Sequence, residues 1–415
     1  MVGLCDCNSF YVSCERLFRP DIRTSPVIVL SNNDGCIVSL SEEAKRLGFA
    51  RGMPYHQIKT AVAQTNTHVF SSNYTLYQDM SRRVMDTLFK HVGSHEVYSI
   101  DEAFFSLPPA VSDLEDFLLT LRRTILLVTG IPVSLGVART KTLAKIAAGE
   151  AKHTGGTFIL REESEKSFLE HTPIKDVWGI GWKSARKLRE SGIENALDFS
   201  LKEAGWIMKH YTVTGLNTYR ELQGIPSIKT PEPSSYSFCS GISFAHPLSN
   251  LEEVKASLAS HCHEVSDKLI KRNLAASCVS VEIFSDRFSS SYIHAAMSHM
   301  LPYPTAYPLT LLKYAGLILD KIWKDGTPYK GSRVWVTQLE PGENQQHELF
   351  VQEEEYEKRA RESALAKTIY HLGKTFGPHA IMGADTAGKT RMDYSRRNFL
   401  SPAYTTRWKD LPRAT

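Results

Sequence analysis

Between Val2 and Lys152, short β-rich runs alternate with helical stretches in an order that few sheets can accommodate. "VGLCDC" reads as a strand, and "NSFYVSCERLF" as a helix with Asn8 as its expected cap. "PVIVLS" and "CIVSLS" are β-rich and joined by "NNDG", whose residues tolerate the positive φ of a hairpin turn. "SEEAKRLG" is a short helix closed by Gly48. A helix over Tyr74–His91 leads into "VYSIDEAFFSL"; a helix over Asp113–Val128, the strand "IPVSLGVA" and a helix capped by Thr140 follow. With the hairpin and its short helix set aside as an insertion, the order is strand, helix, strand, strand, helix, strand. That is the split βαβ plan of ferredoxin-like domains, an antiparallel sheet over two helices. Its strand ends gather residues distant in sequence, here Asp6 and Asp101.

Asp101 and Glu102 sit side by side within a β-rich run, where unpaired buried carboxylates are costly. Together with Asp6 they could bridge two divalent cations, the arrangement that stabilises attacking and leaving oxygens in phosphoryl transfer. Magnesium takes one or two protein carboxylates and completes its shell with phosphates and water. Neighbouring strand residues point to opposite faces, so Asp101 and Glu102 share a site only if the chain turns or bulges there. The bland alternative is an Asp at a strand end and a solvated Asp-Glu turn.

From Ser164 to Pro226 the pattern is helical, and "VWGIGWKSARKLRESGI" looks like two helices pinched around Gly179-Ile180-Gly181. "KTPEPSSYS" reads as a linker. From Tyr236 to Pro341 the split βαβ order recurs. One helix is expected to bury Val254, Leu258, Cys262, Val265 and Leu269, the other Leu309, Leu312, Ala315, Leu319 and Ile322. A further helix near Glu353–Phe376 precedes a stretch, Lys389–Arg413, with seven basic residues against Asp393 and Asp410. That stretch reads as a solvated tail. His261, Cys262 and His263 are consecutive on a helix and point apart, so they are not read as a metal site.

Composition narrows the class only a little. Hydrophobic content of 42% and charged content of 23% are ordinary for a soluble protein, and a net charge of +4 is too mild to announce a polyanionic partner. No apolar run is long enough to span a membrane, and no secretory signal is visible. Seven cysteines without a CxxC pair fit a reducing cytoplasm.

Four stretches in order, "CDCNSFYVSCE", "SSNYTLYQDMSRRVM", "YSIDEAFFSL" and "GVARTKTLAKIAAGEAK", resemble the Y-family translesion DNA polymerases. "DVWGIG" and "LSPAYTTRW" are similar to the UmuC branch, the catalytic subunit of the bacterial mutagenic SOS polymerase. The resemblance implies an α+β right-hand polymerase. Its palm would occupy residues 1–18 and 72–163, and small fingers residues 19–71. A helix-hairpin-helix thumb would follow over 164–232, an α/β little finger over 233–341 and a C-terminal partner-binding region over 342–415.

The resemblance also implies roles. Asp6, Asp101 and Glu102 would be catalytic and hold two Mg2+ ions, with the Cys7 carbonyl as a further ligand. Tyr11 falls where the family places an aromatic gate against a ribonucleotide 2′ hydroxyl; Phe10, counted with it on the substrate side, is expected to pack. Lys152 would meet the triphosphate of the dNTP. Lys45 aligns with a fingers position that is Arg in many relatives and Lys in UmuC-like ones, and Glu42 stands where many carry Tyr, so either it turns away from phosphate or the phosphate contacts differ here. Gly179, Gly181 and Lys183 would hold the DNA backbone without reading sequence. Ile242, in "GISF", replaces an Arg common in the branch. Gln346, Leu349 and Phe350 of "QHELF" match a peptide that docks on the sliding clamp.

The function so implied is error-prone synthesis across damaged primer-template DNA in the SOS response, in the cytoplasm, with a UmuD′-like dimer and RecA as partners. Two alternatives stand beside it: a stand-alone DinB-like polymerase and a catalytically silent DNA-binding scaffold.

Overall fold

The computed structural model describes residues 1–109, 111–229, 237–342, 353–377 and 395–411. The chain divides into two units. One comprises Met1–Ser31, Gly35–Thr230 and Phe399–Thr415; the other comprises Asn32–Asp34 and Pro231–Asn398.

In the first unit β1 (Val2–Cys7) leads into α1 (Phe10–Leu17). β2 (Val27–Leu30), β3 (Ile37–Leu40), α2 (Glu42–Arg46), α3 (Tyr55–Gln64) and β4 (His68–Ser71) form the inserted region. α4 (Tyr74–Phe89), β5 (His95–Val97), β6 (Glu102–Ser106), α5 (Leu114–Thr129), β7 (Val133–Ala138), α6 (Lys141–Ala151) and β8 (Thr157–Ile159) complete the main sheet. α7 (Glu162–His171), α8 (Trp182–Glu190), α9 (Ala196–Ser200) and α10 (Ala204–Leu222) follow.

The main sheet runs β5-β6-β1-β7-β8, and β1 is antiparallel to both β6 and β7. Its first four strands have the antiparallel arrangement expected from the element order, and β8 adds a parallel strand beside β7. β1 is therefore central, and its alternating side chains enter two cores. Cys5 and Cys7 join Tyr77, Met80 and Val84 of α4 and Leu121 and Ile125 of α5 on one face. Leu4 joins Leu143, Ala147 and Ala148 of α6 on the other. Gly136 explains how close α6 lies: a Cβ there would sit 2.1 Å from the Ala148 backbone nitrogen.

The inserted region is a second sheet, β3-β2-β4, over its own core of Ile28, Leu30, Ile37, Leu40, Phe49 and Val62. The hairpin is present, with Asn33 and Asp34 at φ 60° and 52° in its turn. Asn8 is not the cap of α1. Ser9 takes that place at φ 42° without a side-chain cap, because Asn8 Oδ1 accepts from Ser134 Oγ at 2.8 Å and ties β1 to β7 instead. In the helical region the first arm of the pinch is shorter than expected. A single 3-10 turn, Ile174–Asp176, lies between α7 and the Gly-Ile-Gly.

The second unit contains β9 (Phe238–Leu248), α11 (Leu251–Lys271), β10 (Leu274–Ser285), β11 (His294–Thr305), α12 (Pro308–Ile322), β12 (Tyr329–Pro341) and α13 (Glu353–Phe376). The element order repeats, but the strand order does not: the sheet runs β11-β10-β12-β9, so its first strand is an edge. α11 buries the expected five residues. α12 is rotated by part of a turn. Pro308 starts it, Leu309 is exposed, and Leu311 and Ile318 take core places beside Ala315 and Leu319. His261 is fully buried and bonded to Ser240 and Ser332, as a core histidine.

The expected solvated tail is corrected in part. Within Phe399–Leu411, Ser401 and Tyr404 are buried in the first unit, with Tyr404 in the α4–α5 core.

Candidate active site

Register places the first two acids together: Asp6 on β1 and Glu102 on β6 are cross-strand partners. Asp101 precedes β6 in a turn, where Tyr98 and Ser99 backbone N–H groups donate to the Glu102 carbonyl at 3.0 and 3.1 Å. Ser99 Oγ donates to Asp101 Oδ1 at 2.6 Å, and the Cys7 N–H donates to the Asp101 carbonyl at 2.9 Å. The turn frees Asp101 from strand alternation, which is the condition for two adjacent acids to serve one site. Cys7 itself is buried in the core, so only its backbone is available there.

Two ammonium groups attend these acids. Lys152, at the C-cap of α6, donates from Nζ to Asp6 Oδ2 at 2.9 Å. Lys145, on the same helix, reaches both oxygens of Glu102 at 2.8 and 2.9 Å. Its Nζ also lies 4.6 Å from the centre of the Tyr98 ring and 5.3 Å from that of Trp178. Sequence reading missed Lys145. The signal was available, since it precedes Lys152 by two helical turns and so shares its face. Burial raises the Asp6 pKa; Lys152 opposes this, and the nearby Glu102 and Asp101 raise it again.

No group of three or more ligating side chains among the described residues stands gathered for a metal ion. The donor set nonetheless fits cations: hard oxygens, mutually repelling, with ammonium nitrogens against two of the three acids.

Tyr11 is half-buried on α1, its ring stacked on Tyr77 at 4.3 Å and 11° and edge-on to Tyr74 at 6.1 Å. Phe10 is 3% exposed, so it is a core ring that supports Tyr11 and offers no substrate surface. Lys45 is paired with Glu42 at 2.5 Å on the exposed side of α2. Ahead of α8, Gly179 has φ 86° and a Cβ would meet Thr218 Oγ1 at 2.7 Å. Gly181 is the N-cap of α8, and Lys183 lies beside the exposed Trp182 ring. Ile242 packs partly against the core of the second unit. Gln346, Leu349 and Phe350 lie outside the described residues.

Solved structures define the class. A Y-family DNA polymerase chimera of Dbh and Dpo4 superposes with a TM-score of 0.70, covering 81% of this chain and 98% of its own at 21% identity. The insertion ternary complex of Dbh DNA polymerase gives 0.58 with the same coverage and identity. The fold is that of the Y-family DNA polymerases.

Sequence relatives narrow it. Protein UmuC of Salmonella typhimurium is 37% identical over 100% of both chains, and Protein MucB of Escherichia coli 32% over 100% of both. DNA polymerase IV of Brucella melitensis is 27% identical over 92% of this chain and 85% of its own. Residues 5–149 match the impB/mucB/samB family, 162–193 the HHH motif of the IMS family, and 235–349 the family's C-terminal domain. Residues 364–414 match a domain of unknown function. The chain belongs to the impB/mucB/samB family, the UmuC branch of the Y-family DNA polymerases.

Proposed function

We propose that this protein carries out template-directed, error-prone DNA synthesis past damaged bases as part of the SOS response. The observation that carries the reading is the Asp6–Glu102 cross-strand pair with Asp101 at the adjoining turn, flanked by Lys145 and Lys152. Asp6, Asp101, Glu102 and the Cys7 carbonyl would hold a pair of magnesium ions, which would supply activation of the primer 3′ hydroxyl and charge stabilisation at the α-phosphate and pyrophosphate.

The chain's own residues do the rest. Lys152 exchanges Asp6 for the triphosphate of the incoming dNTP. Lys45 exchanges its Glu42 partner for phosphate and so contributes positive charge from the fingers. The Tyr11 ring packs against the sugar and rejects a 2′ hydroxyl. N–H groups at the start of α8, with Gly179, Gly181 and Lys183, hold primer-template phosphates without reading sequence. The fingers sheet has only three short strands, leaving little protein to grip the nascent base pair, which supports low fidelity.

The reading includes a cytoplasmic location, a UmuD′-like dimer, RecA, and a sliding clamp held by Gln346, Leu349 and Phe350. No described helix is long and apolar enough to cross a membrane. The test is primer extension on an abasic template with Asp101→Ala as control. Extension by the unaltered chain alone is expected; equal extension by both proteins overturns the polymerase reading. Adding the UmuD′-like dimer and RecA is expected to raise bypass, and no gain would leave a stand-alone enzyme.

A further inference from the structure

Among the described residues of the first unit, Glu15 is an unusual group: a carboxyl at 0% exposure whose Oε1 meets only hydroxyls and whose Oε2 has no hydrogen-bond partner. Burying such a group costs free energy unless something is gained in return. What it gains is a junction. Tyr77 donates its hydroxyl to Glu15 Oε1 at 2.7 Å, and Ser401 Oγ donates to the same oxygen at 3.1 Å. Ser401 Oγ in turn accepts from Asn73 Nδ2 at 3.0 Å. Asn73 is the N-cap of α4, accepting from the Leu76 N–H at 3.2 Å, and α4 carries Tyr74 and Tyr77.

Tyr11 and Glu15 are four residues apart on α1 and so lie on one face. One hydroxyl from the far end of the chain thus closes a ring linking α1, α4 and the tail. The segment that brings it is well held. Phe399 exchanges two hydrogen bonds with Ser71, at 2.9 and 3.0 Å, and its ring meets Tyr55. Tyr404 stacks on Phe18 at 4.7 Å and 8°.

We infer that Tyr77, Glu15 and Ser401 are positioning residues for the Tyr11 ring, and that the C-terminal segment Phe399–Leu411 is a strap that helps the active site discriminate sugars. The inference rests on the reading of Tyr11 as the group facing the nucleotide sugar. A ring that excludes a hydroxyl by contact works only if it cannot give way. Tyr77 backs Tyr11 in parallel, and Glu15 and the strap fix the outer end of Tyr77.

The experiment measures kcat/KM for dCTP and CTP on one primer-template with full-length protein. Ser401→Ala and Tyr77→Phe are expected to lower the deoxy-to-ribo ratio about tenfold, mainly by faster CTP insertion. Glu15→Gln keeps an acceptor oxygen for both hydroxyls and should retain the ratio, whereas Glu15→Ala should lose it. Tyr11→Ala should lower the ratio further, and adding Ser401→Ala to it should change nothing more. A Tyr11→Ala ratio equal to that of the unaltered chain overturns the sugar-gate reading and this inference with it. A collapse in Tyr11→Ala alone, with Ser401→Ala and Tyr77→Phe unchanged, overturns only the strap's role. Equal losses for both nucleotides in Ser401→Ala, a purely structural effect, overturn it too.

Discussion

Burial sets the chemistry of two carboxyls in the first unit in different ways. Asp6 is drawn upward by burial yet held by Lys152, so removal of any acid of the site should leave DNA binding in place and abolish insertion. Asp101→Asn and Glu102→Gln are each expected to lower kcat for insertion about 1000-fold or more, read in single-turnover assays. For Glu15, burial outweighs the Tyr77 and Ser401 hydrogen bonds and the Arg19 charge, and pushes its pKa from 4.5 up to about 7. The folded state then holds the proton more tightly than the unfolded chain. The contribution is complete below pH 4.5 and is lost as the pH rises to about 7, amounting to about 3 kcal/mol. Glu15→Gln should therefore flatten the melting temperature across that window, checked by thermal unfolding at several pH values. Asp6, Asp101 and Glu102 drew notice as carboxylates in β-rich runs, but only the ordered family motifs around them favoured a shared site over a solvated turn. The Tyr77–Glu15 bond was not legible, because its partners are 62 residues apart and each looks ordinary in its own helix.

At the level of elements, α6 is the critical piece, since it carries both lysines of the site. Thr140 caps it, accepting from Leu143 N–H at 3.4 Å and donating to the Glu221 carbonyl at 2.8 Å. Thr140→Ala should cost about 1–2 kcal/mol in chemical denaturation. Gly136→Ala should cost about 3 kcal/mol, because the added methyl meets helix backbone that cannot rotate away, and it should displace Lys145 from Glu102. Helix and strand periodicity was legible along both units. Asn8 was diverted from capping by Ser134, and α12 turns Leu311 and Ile318 rather than Leu309 into the core of the second unit, so local preference yielded to partners that only folding supplies.

On the scale of the molecule, the chain's end belongs to the unit where the chain begins. Ending the protein at Asn398 should destabilise the first unit by about 3 kcal/mol, from the exposed Tyr404 site and the lost Ser401 and Phe399 hydrogen bonds. Calorimetry should show that transition shifted, while the second unit, with its own core, keeps its melting temperature.

Sequence alone determined the succession of elements and most of the apolar faces, because these follow from side-chain periodicity; it picked out Asp6, Asp101 and Glu102 as candidates only together with the ordered motifs around them. Tertiary structure alone decided that one sheet centres its first strand while the other leaves it at the edge. It also placed Lys145 on Glu102 and brought Ser401, of the segment Phe399–Leu411, onto Glu15 in Tyr11's helix. Strand order and long-range hydrogen bonds depend on which surfaces meet when the chain closes on itself, and no local pattern encodes that meeting.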